Sequence, residues 1–289
     1  MRFNKETVAT FAILLVTLFW GMTFVLIKEA VAELSPFNFI FWRFGIASLL
    51  LAIIFAKNLK QINKKLIIHG AVLGLLLGGT VIFQTIGLQF TKASNASFIT
   101  GFAVVLVTIF ASLLNRKLPK VNSIVATLLS IVGLAFITLA QGFHVNIGDF
   151  WVMLCSICIA WHIIFTGKYT HEHESLSLTI VQMLTITVMS GVIAFGTSGI
   201  AIPQTYKVWQ AILFCSIFAS AIAFSLQIHF QKYLSSAKTA VVFTAEPIFA
   251  TVTAIIYLGE AITVHFVVGA LCILSAMLLA ELGRKSKAV

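Results

Sequence analysis

The sequence predicts an all-α integral membrane fold, with ten transmembrane helices arranged as two inverted five-helix repeats. Three observations predict it. The 289-residue chain is 60% hydrophobic and only 10% charged, whereas soluble domains are about half apolar and about a quarter charged. Its apolar residues fall into ten runs bounded by charge, Pro, Asn or Gly. The Lys and Arg residues between those runs collect on alternate connections.

A helix needs roughly 20 apolar residues to cross a hydrocarbon core of about 30 Å, so ten crossings use about 200 residues and leave only short connections. The runs extend from Val8 to Lys28, Phe37 to Ala56, Leu66 to Phe90, Ser94 to Leu114 and Val121 to Ala140. A second set follows from Ile147 to Lys168, Leu176 to Thr197, Val208 to Phe230, Ala237 to Leu258 and Thr263 to Leu282. Arg2 and Lys5 ahead of the first run look like the start of a signal peptide. That run is too long and lacks a small-residue cleavage site, so helix 1 is expected to be retained.

If connections alternate sides, one side receives Arg2, Lys5, Lys57, Lys60, Lys64, Lys65, Arg116, Lys117, Lys120, Lys168, Lys232, Lys238, Arg284, Lys285 and Lys287. Only Lys28, Lys92 and Lys207 fall on the other, and Arg43 lies within a span. The positive-inside rule then puts both termini in the cytoplasm and the chain in a bacterial inner membrane. The formal charge of +10 is scattered between apolar runs, whereas a nucleic-acid footprint gathers Lys and Arg on one face, so no nucleic-acid partner is expected. The partners expected are the lipid bilayer and a small molecule. Cys155, Cys158, Cys215 and Cys272 all lie in apolar segments, where Cys packs as a small hydrophobe. No cofactor or metal is expected.

A shift of 140 places Trp20-Gly21 on Ala160-Trp161, Lys28 on Lys168 and Ser35 on Ser175. A shift of 144 places Ala93, Ala96 and Thr100 on Ala237, Ala240 and Thr244. The halves are residues 1–143 and 144–289. Five helices per half is an odd number, so equivalent helices point in opposite directions. Inverted repeats of this kind characterise alternating-access carriers, whose site lies between the halves near the midplane.

The segment Phe19-Trp20-Gly21-Met22-Thr23-Phe24, with Trp42-Arg43-Phe44, Glu246-Pro247 and Leu258-Gly259-Glu260, resembles the drug/metabolite transporter superfamily, and within it the EamA-type ten-helix branch. The resemblance implies a central cavity lined mainly by helices 1, 3, 4, 6, 8 and 9. The family often has Pro in helix 4 matching the one in helix 9, whereas here that position is Ala103, so a weaker kink is expected in the first half.

Only two clearly ionisable acid or base charges lie inside spans, Arg43 and Glu246. Burying either in hydrocarbon costs at least about 2.5 kcal/mol, which makes both candidates for function. Arg43 has two open readings, a substrate-binding cation or a side chain held by backbone carbonyls or reaching the interface. Glu246 precedes Pro247, the only proline inside a span. Proline leaves the carbonyl of Phe243 without its helical donor, which is tolerable at membrane depth only where protein or water supplies a partner. Glu246 is therefore expected to face the interior, where burial favours the protonated acid and makes it the candidate for proton coupling, with Pro247 as hinge.

Gln84 and Gln227, at comparable depths on helices 3 and 8, are expected as cavity groups, with interhelical bonding as the plainer reading. Trp20, Phe24, Trp161 and Phe165 lie near mid-membrane on helices 1 and 6 and are aromatic candidates for the cavity. Gly70, Gly74 and Gly78, and likewise Ser216 and Ser220, recur every fourth residue and are expected to permit close helix packing. His171-Glu172-His173-Glu174 offers metal-ligand types, but without a partner cluster it reads as a solvated connection.

A secondary transporter for small amphipathic or zwitterionic metabolites fits best, with amino acids and export as the expectation. One embedded cation suits a carboxylate and one embedded anion an ammonium, whereas phosphorylated substrates want several Lys or Arg. A cationic-drug exporter and a metabolite importer or exchanger stay open. An intramembrane lipid-modifying enzyme needs a nucleophile or paired acid and base groups at one depth, and neither GxSxG, HExxH nor paired embedded carboxylates occur. A non-transporting scaffold would lack a central cavity.

Overall fold

Once the apolar runs are in lipid, each must satisfy its own backbone, and helices do this within a single segment. The computed structural model describes residues 4–91, 96, 99–139, 146–258 and 262–282, and among these no strand occurs. Ten helices follow one another: α1 (Lys5–Ala30), α2 (Pro36–Ile54), α3 (Lys64–Phe90), α4 (Ile99–Asn115), α5 (Val121–Leu139), α6 (Ile147–Tyr169), α7 (Ser175–Thr197), α8 (Tyr206–Gln231), α9 in two pieces (Ser236–Phe243 and Glu246–Leu258) and α10 (Val264–Leu282). Helices α1, α2, α3, α6, α7 and α8 are each long and apolar enough to cross a membrane, and α4, α5 and α10 are shorter apolar helices. The protein is a multi-pass membrane protein. Lys92, Asn95, Gly259, Glu260 and the terminal Arg2, Arg284, Lys285 and Lys287 lie outside the described residues.

Local signals start the helices where the apolar runs begin. Side chains of Asn4, Ser35, Asn63, Glu174, Thr205 and Ser235 accept from the first free amides of their helices, and Asn146 with Asp149 forms a full capping box at α6. The outer surface is as apolar as a core, with Phe11, Leu49, Ile53, Leu113, Val188, Phe195 and Ile256 exposed. The interior instead carries Thr17, Thr80, Ser130, Ser156, His162, Gln182, Ser190 and Gln227. Most embedded hydroxyls satisfy themselves by donating one turn back, as Thr80 does to Leu76, Thr85 to Val81 and Ser190 to Ile186.

The connections fall into two ends that do not mix. At one end Lys65 pairs with Glu172, Lys238 with Glu6, and Ser177 donates to the carbonyl of Asn58. At the other, Lys207 pairs with Glu29, Thr205 donates to Glu33, Asn38 donates to Ser198 and Gly199, and Thr91 donates to Asp149. The first is the basic end, because among the described residues only Lys28 and Lys207 of the connecting cations belong to the second.

The main helix pairs are kept when each helix is exchanged with the one five places on, although α9 also touches α5 and α6 where α4 makes no comparable contact among the described residues. Helices α2 and α7 pack together, as do α5 and α10, and α4 and α9. Helix α1 lies on α8 and α9, while α6 lies on α3 and α4. Gly70, Gly74 and Gly78 face α7 so tightly that a Cβ on Gly74 would fall 2.5 Å from the Cβ of Thr185, and one on Gly70 2.6 Å from Val181. At Gly21, α1 crosses the second piece of α9, where a Cβ would meet the carbonyl oxygen of Glu246 at 2.9 Å.

Helix α9 breaks at Thr244 and Ala245, immediately before Glu246. Pro247 occupies the first turn of the new piece, where an amide has no helical partner to lose. Helix α4 also turns at Phe102, next to Ala103, with Val105 and Leu106 both donating to the Phe102 carbonyl. The expected weakening of the first-half kink therefore misses a real interruption. It occurs without proline, and Gly101 beside it admits Leu134 of α5, whose side chain a Cβ would meet at 2.6 Å.

Substituting Gly74→Leu should overpack the α3–α7 seam, where such changes cost about 1–3 kcal/mol. The expected outcome is a lower unfolding midpoint for the detergent-solubilised protein, and an unchanged midpoint would contradict the close approach.

Candidate functional site

In the middle of α8, residues Ile217–Ile222 form a π-helical stretch. Its i→i+5 register widens the helix and interrupts the regular bond ladder, a departure found mostly at functional sites. The carbonyl of Ala219, inside it, accepts from two other helices. Trp20 Nε1 of α1 donates at 3.0 Å and Arg43 Nη2 of α2 at 3.4 Å, while Arg43 Nε donates to Ser220 Oγ at 2.8 Å. Arg43 is buried and makes no ion pair among the described residues. Of its two readings, the structure displays the hydrogen-bonded one, a cation held by the π stretch of α8.

Glu246 opens the second piece of α9 and is half-buried. Its carboxylate has no hydrogen bond or ion pair among the described residues. It borders two small voids. One, of about 50 Å³, is lined by Trp20, Thr23, Arg43, Gln84, Thr100, Phe224 and Glu246 among others. The other, of about 20 Å³, includes Phe24, Thr100, Phe243, Glu246 and Pro247. Helices α1, α3, α4, α6, α8 and α9 supply the lining, and α2 adds Arg43. Thr100 Oγ1, shared by both, has no oxygen or nitrogen partner among the described residues and has the weakly bonding Cys155 thiol beside it. A water needs roughly 10–15 Å³ of such space and two or more polar partners, so these voids are sized and lined for water and are closed to a metabolite.

Larger cavities flank this centre. Toward the basic end, one of about 640 Å³ is lined by Glu6, Asn115, Lys117, Lys120, Tyr233 and Lys238. Toward the other end, one of about 590 Å³ lies between α1, α8 and α9, with Met22, Leu26, Lys207, Phe214, Phe218 and Thr253 on its walls. The Glu6–Lys238 pair, at 2.8 Å and almost fully buried, joins the beginnings of α1 and α9.

The sequence-derived site residues thus separate. Trp20, Phe24, Arg43, Gln84, Glu246 and Pro247 border the central voids. Trp161 and Phe165 are not among their lining residues. Trp161 stacks on Phe110 of α4 at 4.9 Å, and Phe165 continues the stack to Tyr169. Gln227 is fully buried, is not among the lining residues, and donates within α8 to Gln231, which itself donates to the Ile163 carbonyl of α6, while Gln227 Oε1 has no partner among the described residues. Sequence reasoning missed Thr100, which the alignment of Thr100 with Thr244 at the two helix interruptions marks, and Ser220, which was read only as a small packing residue.

The connection after α6 also departs from expectation. It does have a partner: His69 of α3 meets His173 with 2.8 Å between ring nitrogens and stacks on Tyr169 at 3.9 Å. The bond from Lys65 holds the Glu172 carboxyl below the usual carboxylate range, and burial followed by the nearby His69 holds the His173 imidazole below its ordinary range.

The model of the EamA-like transporter family matches twice, over residues 7–139 and 146–282. An uncharacterized transporter of Archaeoglobus fulgidus is 33% identical over 281 residues, covering 96% of this chain and 87% of its own. The uncharacterized transporter YyaM of Bacillus subtilis is 26% identical over 282 residues, covering 92% and 90%. A solved crystal structure superposes with a TM-score of 0.81 at 16% identity, over 98% of this chain and 99% of that one.

Because the bonds of Arg43 are internal, Arg43→Met should destabilise the ligand-free protein by the roughly 1.5–3 kcal/mol that hydrogen bonds to charged groups contribute, with Ser220→Ala smaller in the same direction. Denaturation of the purified variants without substrate checks this. Wild-type stability in Arg43→Met would mean that the guanidinium serves substrate alone.

Proposed function

The chain belongs to the EamA-like transporter family, and on that premise we propose that it is a proton-coupled secondary carrier that moves small amphipathic or zwitterionic metabolites, amino acids first among them, out of the cytoplasm by alternating access. It is a carrier and not an enzyme. The two five-helix halves, 1–143 and 144–289, are inverted with respect to each other, the membrane is the inner membrane, and the basic end with both termini faces the cytoplasm.

The observation that carries this reading is the Glu246 carboxylate, which has no hydrogen bond or ion pair among the described residues, on a small polar void with larger cavities toward each end. A carboxylate withdrawn from water and without a partner among the described residues is favoured when it holds a proton or meets a ligand cation. Competition between those two occupants for one carboxylate is the simplest coupling available to a site with a single acid. Pro247 and the break before it let the carboxylate change sides without unwinding a whole helix. Trp20, Phe24 and Gln84 would meet the body of the substrate once the halves separate, since a void of about 50 Å³ holds only water. Arg43 would meet a substrate carboxylate through whatever donor capacity its bonds to Ser220 and Ala219 leave.

Those same bonds favour a second reading. A guanidinium already engaged by α8, beside an unengaged acid, also suits an exporter of organic cations, which needs Glu246 alone.

In proteoliposomes, an imposed gradient with acid outside should accelerate substrate efflux, and Glu246→Gln should abolish that response. An unaltered gradient response in Glu246→Gln would remove proton coupling at this residue. Folded Arg43→Ala should lose zwitterionic substrates and retain cationic ones, whereas Glu246→Ala should lose both. Equal loss of both classes in Arg43→Ala would leave the zwitterion assignment without support.

A further inference from the structure

At the basic end, three side chains from distant parts of the chain converge. His69 projects from the second turn of α3, and Glu172 and His173 belong to the turn after α6. The two histidine nitrogens, His69 Nδ1 and His173 Nε2, are 2.8 Å apart, and Glu172 Oε2 is 3.8 Å from His69 Nδ1. The three candidate ligand atoms all lie within 4.8 Å of one another. His69 is half-buried, and its ring is fixed by face-to-face stacking on Tyr169 at 3.9 Å.

We propose that His69, Glu172 and His173 form a binding site for a divalent transition cation of the zinc type. Two imidazole nitrogens and one carboxylate oxygen are a donor set zinc accepts, and three protein ligands leave a fourth position for water. Bonds of about 2.0–2.1 Å at tetrahedral angles put two ligand atoms about 3.3 Å apart. The histidine nitrogens need to move apart by about 0.5 Å, and Glu172 Oε2 needs to close by about 0.5 Å on His69 Nδ1 and by at most about 1.5 Å on His173 Nε2. Without an ion the two imidazoles share a hydrogen bond beside the carboxylate. A cation would replace that bond with one metal bond to each ring nitrogen, and the same convergence of donors serves both states.

The site has an internal competitor. Lys65 Nζ occupies Glu172 Oε2 at 2.8 Å, but the Lys65 side chain is 66% exposed and free to swing into solvent when a divalent ion arrives. His69 belongs to the first family match, and Glu172 and His173 to the second. The bound ion would therefore tie one match to the other at the end where the Glu6–Lys238 pair also lies. An ion there opposes separation of α3 from the α6–α7 turn.

The test is calorimetric titration of the metal-stripped protein, carried without a polyhistidine tag, with Zn²⁺ alone. One saturable site per chain is expected. His173→Ala, in an irregular turn where folding is least at risk, should weaken binding by more than the roughly 10–100-fold that loss of an outer-shell partner costs. Lys65→Met should tighten it about fivefold by removing a neighbouring positive charge. His171→Ala, exposed and outside the cluster, should bind as the wild type does. Co²⁺ in place of Zn²⁺ should give the strong visible absorption of a tetrahedral site, absent in His173→Ala. No saturable Zn²⁺ binding by the wild type, binding that His173→Ala leaves intact, or binding lost in His171→Ala instead would each overturn the proposal.

Discussion

The carbonyl of Ala219 must be satisfied inside a dry bundle, and much of the central architecture follows from how that is done. A helix in lipid has no water to complete its polar groups, and each unmet group costs several kcal/mol. The π-helical stretch of α8 presents the Ala219 carbonyl to its neighbours, and Trp20 of α1 and Arg43 of α2 both donate to it. Three helices are thereby fixed at one depth. The same two bonds orient the Trp20 ring between Phe224 and Phe243 and set Arg43 on the wall of the void that Glu246 borders. Gly21, the next residue along α1, lets that helix lie against the Glu246 carbonyl itself. The Trp-Gly pair thus joins α8 on one side and α9 on the other.

Within that frame the two interrupted helices meet at the centre. The turn in α4 brings Thr100 to both voids, and the break in α9 brings Glu246. Neither polar group is absorbed by its own helix, in contrast to the many embedded Ser and Thr residues that donate one turn back. The central voids are too small for a metabolite, while larger cavities lie toward each end. The buried Glu6–Lys238 pair holds the beginnings of α1 and α9 together at one end. Contacts of Glu29, Glu33 and Asn38 with the α7–α8 connection hold the other.

The ten spans were legible because lipid imposes one requirement, a sufficient apolar length, and because caps such as Asn63 and Ser235 stand where the runs begin. Glu246 and Pro247 were legible for a similar reason, since a charge and a proline inside a span violate local expectation together. The π stretch was not legible: a change of helical register leaves no mark in composition, so the partners of Arg43 had to wait for coordinates. Trp161 and Phe165 show the limit of reading depth without rotation. They lie at the right level on α6 but turn into a stack with Phe110 and Tyr169. The α4 interruption was underestimated because proline was taken as the only signal, whereas α4 turns at Phe102 without one. His69 and His173 are 104 residues apart, and only the packing of α3 beside the α6–α7 turn brings them together.

Side-specific labelling of Glu246→Cys, in a chain whose four native cysteines have been replaced, tests the central claim most directly. If the carboxylate position borders a void that opens in turn to each side, a membrane-impermeant thiol reagent will modify it from either face of sealed vesicles, and more slowly when transported substrate is present. Modification only by a lipid-soluble reagent, from neither aqueous side, would place that residue toward the acyl chains and contradict the account.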